Sequence, residues 1–160
     1  AVEALLERMR DHHRDRDVLT RLPNWAGILA SAQRALAWSE RHADPVSIGL
    51  VRAEGLERAA AEHGIDAANA CQRHLAITLQ RGLRRLDEVG FLGDGLFCTL
   101  LYNTRADEVG PRLQQLAASF VTRAHADRRL RDIAISVAVV DSTVGIRGLL
   151  PRALRQLTGT

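Results

Sequence analysis

Glu88-Val-Gly-Phe-Leu-Gly93-Asp94-Gly95-Leu96-Phe97-Cys98-Thr-Leu-Leu101 is the stretch on which the fold turns. Two apolar runs, 88–92 and 96–101, flank a Gly-Asp-Gly tripeptide, which predicts two strands joined by a hairpin. Working upstream, Ala68, Cys71, Leu75, Leu79 and Leu83 share one side of a helix predicted over 65–85. Gly64 suits the end of a shorter helix over 54–63, and Val46 to Arg52 reads as a buried strand. Asn24 is a suitable N-cap for a helix over 25–42, which Asp44-Pro45 closes. Val2, Leu5, Leu6 and Met9 outline an amphipathic helix over 2–14 with a narrow apolar stripe. Downstream, a helix over 106–124 presents Leu113, Leu116, Phe120 and Val121 inward. A strand over 132–140 and a last helix over 146–157, with Pro151 in its first turn, complete the series. The order βααββαβ with flanking helices predicts an α/β or α+β sandwich: a mixed central sheet of about five strands with helices packed on it.

Composition narrows the function. At 160 residues, with 46% hydrophobic and 26% charged residues, the chain is one ordinary globular domain and not a disordered one. No apolar run approaches the roughly 20 residues that cross a bilayer, so no membrane segment is expected. The formal charge is +3, and all 22 basic side chains are arginine. Acidic residues are interspersed among them and no long basic stripe forms, so nucleic acid is not the expected partner. Cys71 and Cys98 lie outside any CxxC, which points to small core residues and a reducing, cytoplasmic compartment.

Three patterns in fixed order carry a resemblance. Asp17-Val-Leu-Thr20-Arg21-Leu-Pro23-Asn24 resembles the DxLTGLPNR signature that opens GGDEF domains, the diguanylate cyclase family, with Arg21 for the usual Gly and Trp25 for the usual Arg. Gly93-Asp94-Gly95-Leu96-Phe97 occupies the place of the GGDEF sequence itself. Arg84-Arg85-Leu86-Asp87 is an RxxD whose Asp lies six residues before Gly93, the spacing of the family's inhibitory, product-binding site. The resemblance spans about residues 15–157 and divides the chain into an N-terminal linker or signalling helix, 1–16, and a GGDEF domain, 17–160. It implies an adenylyl-cyclase-like sheet flanked by helices. It also implies an activity that joins two GTP molecules into cyclic di-GMP across a head-to-head dimer, using two divalent metals.

The residues that this chemistry needs are missing. With Gly64 matched to the family's Gly-His pair, the metal-binding Asp at the end of the first strand becomes Arg52. A permanent cation there opposes a dication rather than merely failing to hold it. The guanine-recognising Asn falls at Ala60 and the second guanine reader, usually Asp, at Asn69. In the hairpin the metal-proximal Glu becomes Leu96, and Asp94 stands where a Gly backbone approaches phosphate. The resemblance therefore implies a degenerate GGDEF domain with no catalytic residues, for which no magnesium or other cofactor is expected.

What the degenerate domain retains can be read in two ways. Arg84 and Asp87 can be an ordinary i, i+3 pair, worth ~0.2–0.5 kcal/mol when exposed. Alternatively Arg84 clamps a phosphate or guanine edge of cyclic di-GMP while Asp87 accepts from a guanine N–H. The second case is a silent receptor in cyclic di-GMP signalling. The first leaves a dimerisation or protein-interaction scaffold that binds no nucleotide. An active, divergent cyclase is a third reading, opposed by the absent metal ligands. The chain lacks an initiating Met and stops just after the last helix, so a fragment of a longer protein is expected, with an adjacent EAL or sensor domain. His12, His13, His63, His74 and His125 show no convergent ligand pattern, Trp25 and Trp38 are expected to pack, and Arg128, Arg129 and Arg131 read as a solvated loop.

Overall fold

The computed structural model describes residues 16–142, together with Val2, Ala153 and 155–157. Its elements are α1 (Trp25–His42), β1 (Val46–Glu54), α2 (Leu56–His63), α3 (Ile65–Gly82), β2 (Glu88–Gly93), β3 (Leu96–Tyr102), α4 (Ala106–Ala124) and β4 (Ala134–Asp141). A short 3-10 turn, Arg128–Leu130, leads into β4. The helix expected over 2–14 and most of that over 146–157 lie outside the described residues.

The expected sandwich forms, with two corrections. Among the described residues the sheet has four strands rather than five, in the order β2-β3-β1-β4. It is also antiparallel throughout rather than mixed, because every neighbouring pair runs antiparallel. The reason is topological. Each helical crossover joins two strands of like direction, but β3 sits between β1 and β2, and β1 sits between β3 and β4.

The pleat separates two cores. Val51, Ala53, Phe97 and Leu101 face α3 and α4, meeting Leu75, Leu79, Leu113 and Phe120. Ile48, Leu50, Cys98, Leu100 and Val140 face the other way, against Ile28 of α1 and Ala153. Alternation along β1 and β3 thus covers both faces with helix. Both cysteines are buried, and burial pushes the Cys71 thiol up to about 11 and the Cys98 thiol to about 12. Trp25 and Trp38 stay partly exposed; Trp38 stacks on His42 at 4.8 Å and meets Tyr102 edge-on at 6.4 Å.

Element ends differ from expectation where glycine decides. α2 starts at Leu56 rather than 54 because Gly55 (φ 93) turns the chain between strand and helix. A Cβ there would lie 2.8 Å from the Asp132 carbonyl oxygen, so the backbones meet where only glycine fits. α3 ends at Gly82 rather than 85: Leu83 is extended, and the segment that follows is held by side chains described below.

Candidate functional site

The opening motif is structural. Asn24 caps α1 by accepting from the Gly27 N–H at 3.1 Å. Asp17 Oδ2 accepts from the Thr20 N–H at 2.6 Å and its hydroxyl at 2.8 Å, closing a tight turn. The Phe91 N–H donates to the Pro23 carbonyl, tying this turn to β2. Arg21 holds φ 62, a left-handed conformation that explains why the family's usual residue there is glycine.

At the end of β1 the chain forms a cleft of about 670 Å³. Arg52, Glu54, Ala60, Gln72 and Asp94 all border it, so three of the positions singled out from the sequence meet in one place. Asn69 is half-buried on α3 and does not border it. Leu96 sits directly opposite Arg52 in the β1–β3 register and is 8% exposed, part of the core on the α1 face. The hairpin has three successive residues at positive φ: Gly93 (93°), Asp94 (48°) and Gly95 (73°). Asp94-Gly95 forms the two-residue turn, and Gly93 absorbs a register shift after Phe91.

Gln72 is the cleft residue that sequence reading missed. It is buried, and its Oε1 accepts from the Gly95 N–H at 3.0 Å, while the Gly95 carbonyl accepts from the Ala53 N–H at 2.9 Å. The hairpin tip is thereby bolted to α3 and to β1. The available signal was an amide on the apolar stripe of α3, next to Cys71 and one turn from Ala68 and Leu75.

The donor set does not fit the divalent cations that the resemblance implies. The first position is a guanidinium, which no physiological pH neutralises. Glu54 Oε1 accepts from the Ser136 hydroxyl at 2.6 Å, and Asp94 is exposed at the turn. Among the described residues no group of three or more His, Cys, Asp and Glu side chains is placed to hold a metal.

The RxxD segment lies across the sheet, at the start of β2. Its carboxylate faces inward: the Asp87 side chain is 1% exposed and that of Arg84 is 55% exposed. Asp87 Oδ2 accepts from the Arg84 backbone N–H at 3.0 Å and from Arg84 Nε at 3.3 Å, and Oδ1 accepts from the Tyr102 N–H at 3.4 Å. Arg84 Nη2 donates to the Tyr102 carbonyl and the Thr104 hydroxyl, both at 2.6 Å. The pair therefore joins the loop after α3 to the end of β3. Next to it, Tyr102 donates its hydroxyl to Glu88 Oε2 at 2.8 Å; burial and that carboxylate push the phenol up to about 12. A groove of about 590 Å³ opens here, bordered by Trp38, Arg84, Arg85, Leu86, Tyr102 and Asn103 and by the two acids Asp87 and Glu88.

An antiparallel βααββαβ sheet with its cleft at the first strand's end and a glycine-rich hairpin beside it defines a nucleotide-cyclase-like domain. Residues 14–150 match the family described as diguanylate cyclase, GGDEF domain, and the chain belongs to that family. No curated protein matches the chain. Among solved structures, the coiled coil and GGDEF domain of DgcB from Caulobacter crescentus, in complex with c-di-GMP, is similar at TM-score 0.84 and 19% identity, covering 99% of this chain and 89% of that one. The GGDEF domain of FimX from Pseudomonas aeruginosa is similar at TM-score 0.77 and 18% identity, covering 91% and 92%. That of PA1120 (TpbB or YfiN), also from Pseudomonas aeruginosa, reaches TM-score 0.74 and 21% identity, covering 89% and 86%. These likenesses carry the fold.

Proposed function

We propose that this chain is a GGDEF domain without cyclase activity, serving as a regulatory module in cyclic di-GMP signalling. The observation that carries the reading is Arg52 at the mouth of the cleft, facing Leu96 across the strand pair. Joining two GTP molecules, by attack of each 3′-hydroxyl on the other's α-phosphate with loss of pyrophosphate, needs divalent cations held by carboxylates to carry the charge that develops on the phosphate and the leaving group. Here one carboxylate position is cationic, the other is apolar and buried, and Asp94 adds a negative charge at the turn beside the phosphates' place. The test is incubation of the purified protein with GTP and magnesium or manganese, with products separated by chromatography. No cyclic di-GMP is expected; its accumulation at catalytic turnover overturns the reading.

Cyclic di-GMP itself is the ligand that this module would take, at the groove beside Arg84 and Arg85. Support comes from the two adjacent guanidinium groups on a groove with apolar walls, and from the c-di-GMP complex of the structurally similar DgcB domain. In this arrangement Asp87, which borders the groove, positions Arg84 through its buried carboxylate. The scaffold reading draws on the same hydrogen bonds, since a pair so fully engaged inside the protein has a structural use without any nucleotide. Isothermal titration of cyclic di-GMP separates them. Binding by the wild type that Arg85→Ala weakens and Arg84→Ala abolishes establishes the receptor; absence of heat from the wild type leaves the scaffold.

A further inference from the structure

The two helices on the outer side of the sheet have a lopsided charge pattern. From Ala67 to Leu86 there is no Asp or Glu, and none from Val109 to Ala126. The same segments hold Arg73, His74, Arg81 and Arg112, Arg123, respectively, on α3 and α4. The helices pack side by side closely enough that a Cβ at Gly82 would overlap Leu116. Arginines from α4 reach across to α3: Arg112 Nε donates to the Gly82 carbonyl at 3.0 Å, and Arg123 Nη2 donates to the Thr78 hydroxyl at 3.2 Å. Neither contact neutralises a charge, so the layer remains cationic.

Between these helices lies a groove of about 380 Å³. Its floor is apolar, with Phe120 and Leu130, and Ile77 stands 43% exposed on its wall. His74, Arg81 and Arg123 form the rim. Asp127 is the one acid that borders it, and its carboxylate is held by Arg129 through Nη2–Oδ2 at 2.8 Å and Nε–Oδ1 at 3.1 Å. His74, Ile77, Thr78 and Arg81 are spaced i, i+3, i+4, i+7, a single stripe two helical turns long.

We propose that this face of α3 and α4 docks an acidic amphipathic helix of a partner protein, its apolar side seated on Ile77 and its carboxylates on Arg81 and Arg123. Charge complementarity selects the occupant: cations spaced by about one to two turns around an apolar trough match a helix with carboxylates beside an apolar stripe. A nucleic acid suits the face less well, because among the described residues it offers no exposed aromatic ring on which a base can stack. A membrane suits it less well too, because Ile77 is the single large apolar side chain exposed on this face among the described residues. The surface lies apart from the β1 cleft and the RxxD groove, so the proposal stands whether or not nucleotide binds.

The test is fluorescence anisotropy with a labelled synthetic amphipathic peptide carrying Leu on one face and Glu on the other. Its counterpart with Lys for Glu, an oligothymidylate and phosphatidylserine vesicles are titrated in parallel. The Glu peptide should bind the wild type, weaken as NaCl is raised, and lose about tenfold or more in affinity on Arg81→Glu/Arg123→Glu. Ile77→Ser should weaken it about fivefold through the lost apolar contact. Should the charge reversal disturb folding, Arg81→Gln/Arg123→Gln, with a thermal midpoint equal to the wild type, should still weaken binding about threefold. The proposal is overturned if the Glu peptide fails to bind, if the Lys peptide binds as well, if the arginine variants bind like the wild type, or if only the DNA or the vesicles are retained.

Discussion

The β1 cleft and the RxxD corner are built in opposite ways. The cleft is held together through its backbone, and the proposed function leaves it without cyclase chemistry. Gly55, Gly93 and Gly95 hold left-handed conformations, and the hairpin tip is fastened to Ala53 and Gln72, while Arg52 and Leu96 stand opposite each other across the strand pair. The RxxD corner is held through its side chains, with the Asp87 carboxylate facing inward and the Arg84 side chain 55% exposed. Arg84 and Asp87 hold the end of α3 to the end of β3, with the carboxylate almost wholly buried. Backbone geometry is maintained by folding, because a misplaced Cβ costs stability whatever the domain does. A side chain that the fold also uses costs stability when it is removed, whether or not it meets a ligand. That difference predicts which substitutions will damage the domain and which will leave it intact.

The largest effect should come from the inward-turned corner. Asp87→Ala removes a buried acceptor from four donors and should cost about 2–3 kcal/mol, read as a lower urea midpoint at unchanged slope. A cost no larger than that of an exposed pair would mean that the motif is held for a ligand and not for the fold. Gly95→Ala should follow at about 1–3 kcal/mol, because its Cβ meets the Ala53 carbonyl oxygen at 2.8 Å and φ is positive. Gly93→Ala has open space around its Cβ and should lose only about 1 kcal/mol for its positive φ. Equal costs at the two glycines would show that the hairpin tip is not anchored. Tyr102→Phe, which deletes the bond to Glu88, should cost about 0.5–1.5 kcal/mol. A further effect is one of pH. Burial raises both thiols, so at about pH 8–9 and above the unfolded chain ionises its cysteines while the folded chain does not. Stability from this source is whole below that range and falls as pH rises through it; urea midpoints at stepped pH values measure the slope. Replacing both cysteines by alanine should flatten it.

The sequence made most of the scaffold legible. Helices over 25–42 and 106–124 begin and end where expected, because Asn24 and Asp44-Pro45 punctuate the first and apolar periodicity marks the second. The hairpin was legible from Gly93-Asp94-Gly95 alone. Strand direction was not, since local pattern says nothing of which strand lies between two others, and the antiparallel order arises from that insertion. The family resemblance, aligned at Gly64 for Arg52 and Ala60 and at the hairpin for Asp94, brings those three positions together, but it does not bring in Gln72, whose partner is a backbone N–H 23 residues away in the chain. The inward turn of Asp87 was likewise hidden, because i, i+3 spacing is the same for an exposed pair and for a buried clamp, and only the approach of Tyr102 and Thr104 separates the two.

The central claim is that the cleft no longer grips a metal–nucleotide complex. Isothermal titration of a non-hydrolysable GTP analogue, once with magnesium and once with EDTA, tests it most directly. The account predicts no magnesium-dependent binding in the wild type. A saturable, stoichiometric signal that appears with magnesium and vanishes with EDTA would contradict it.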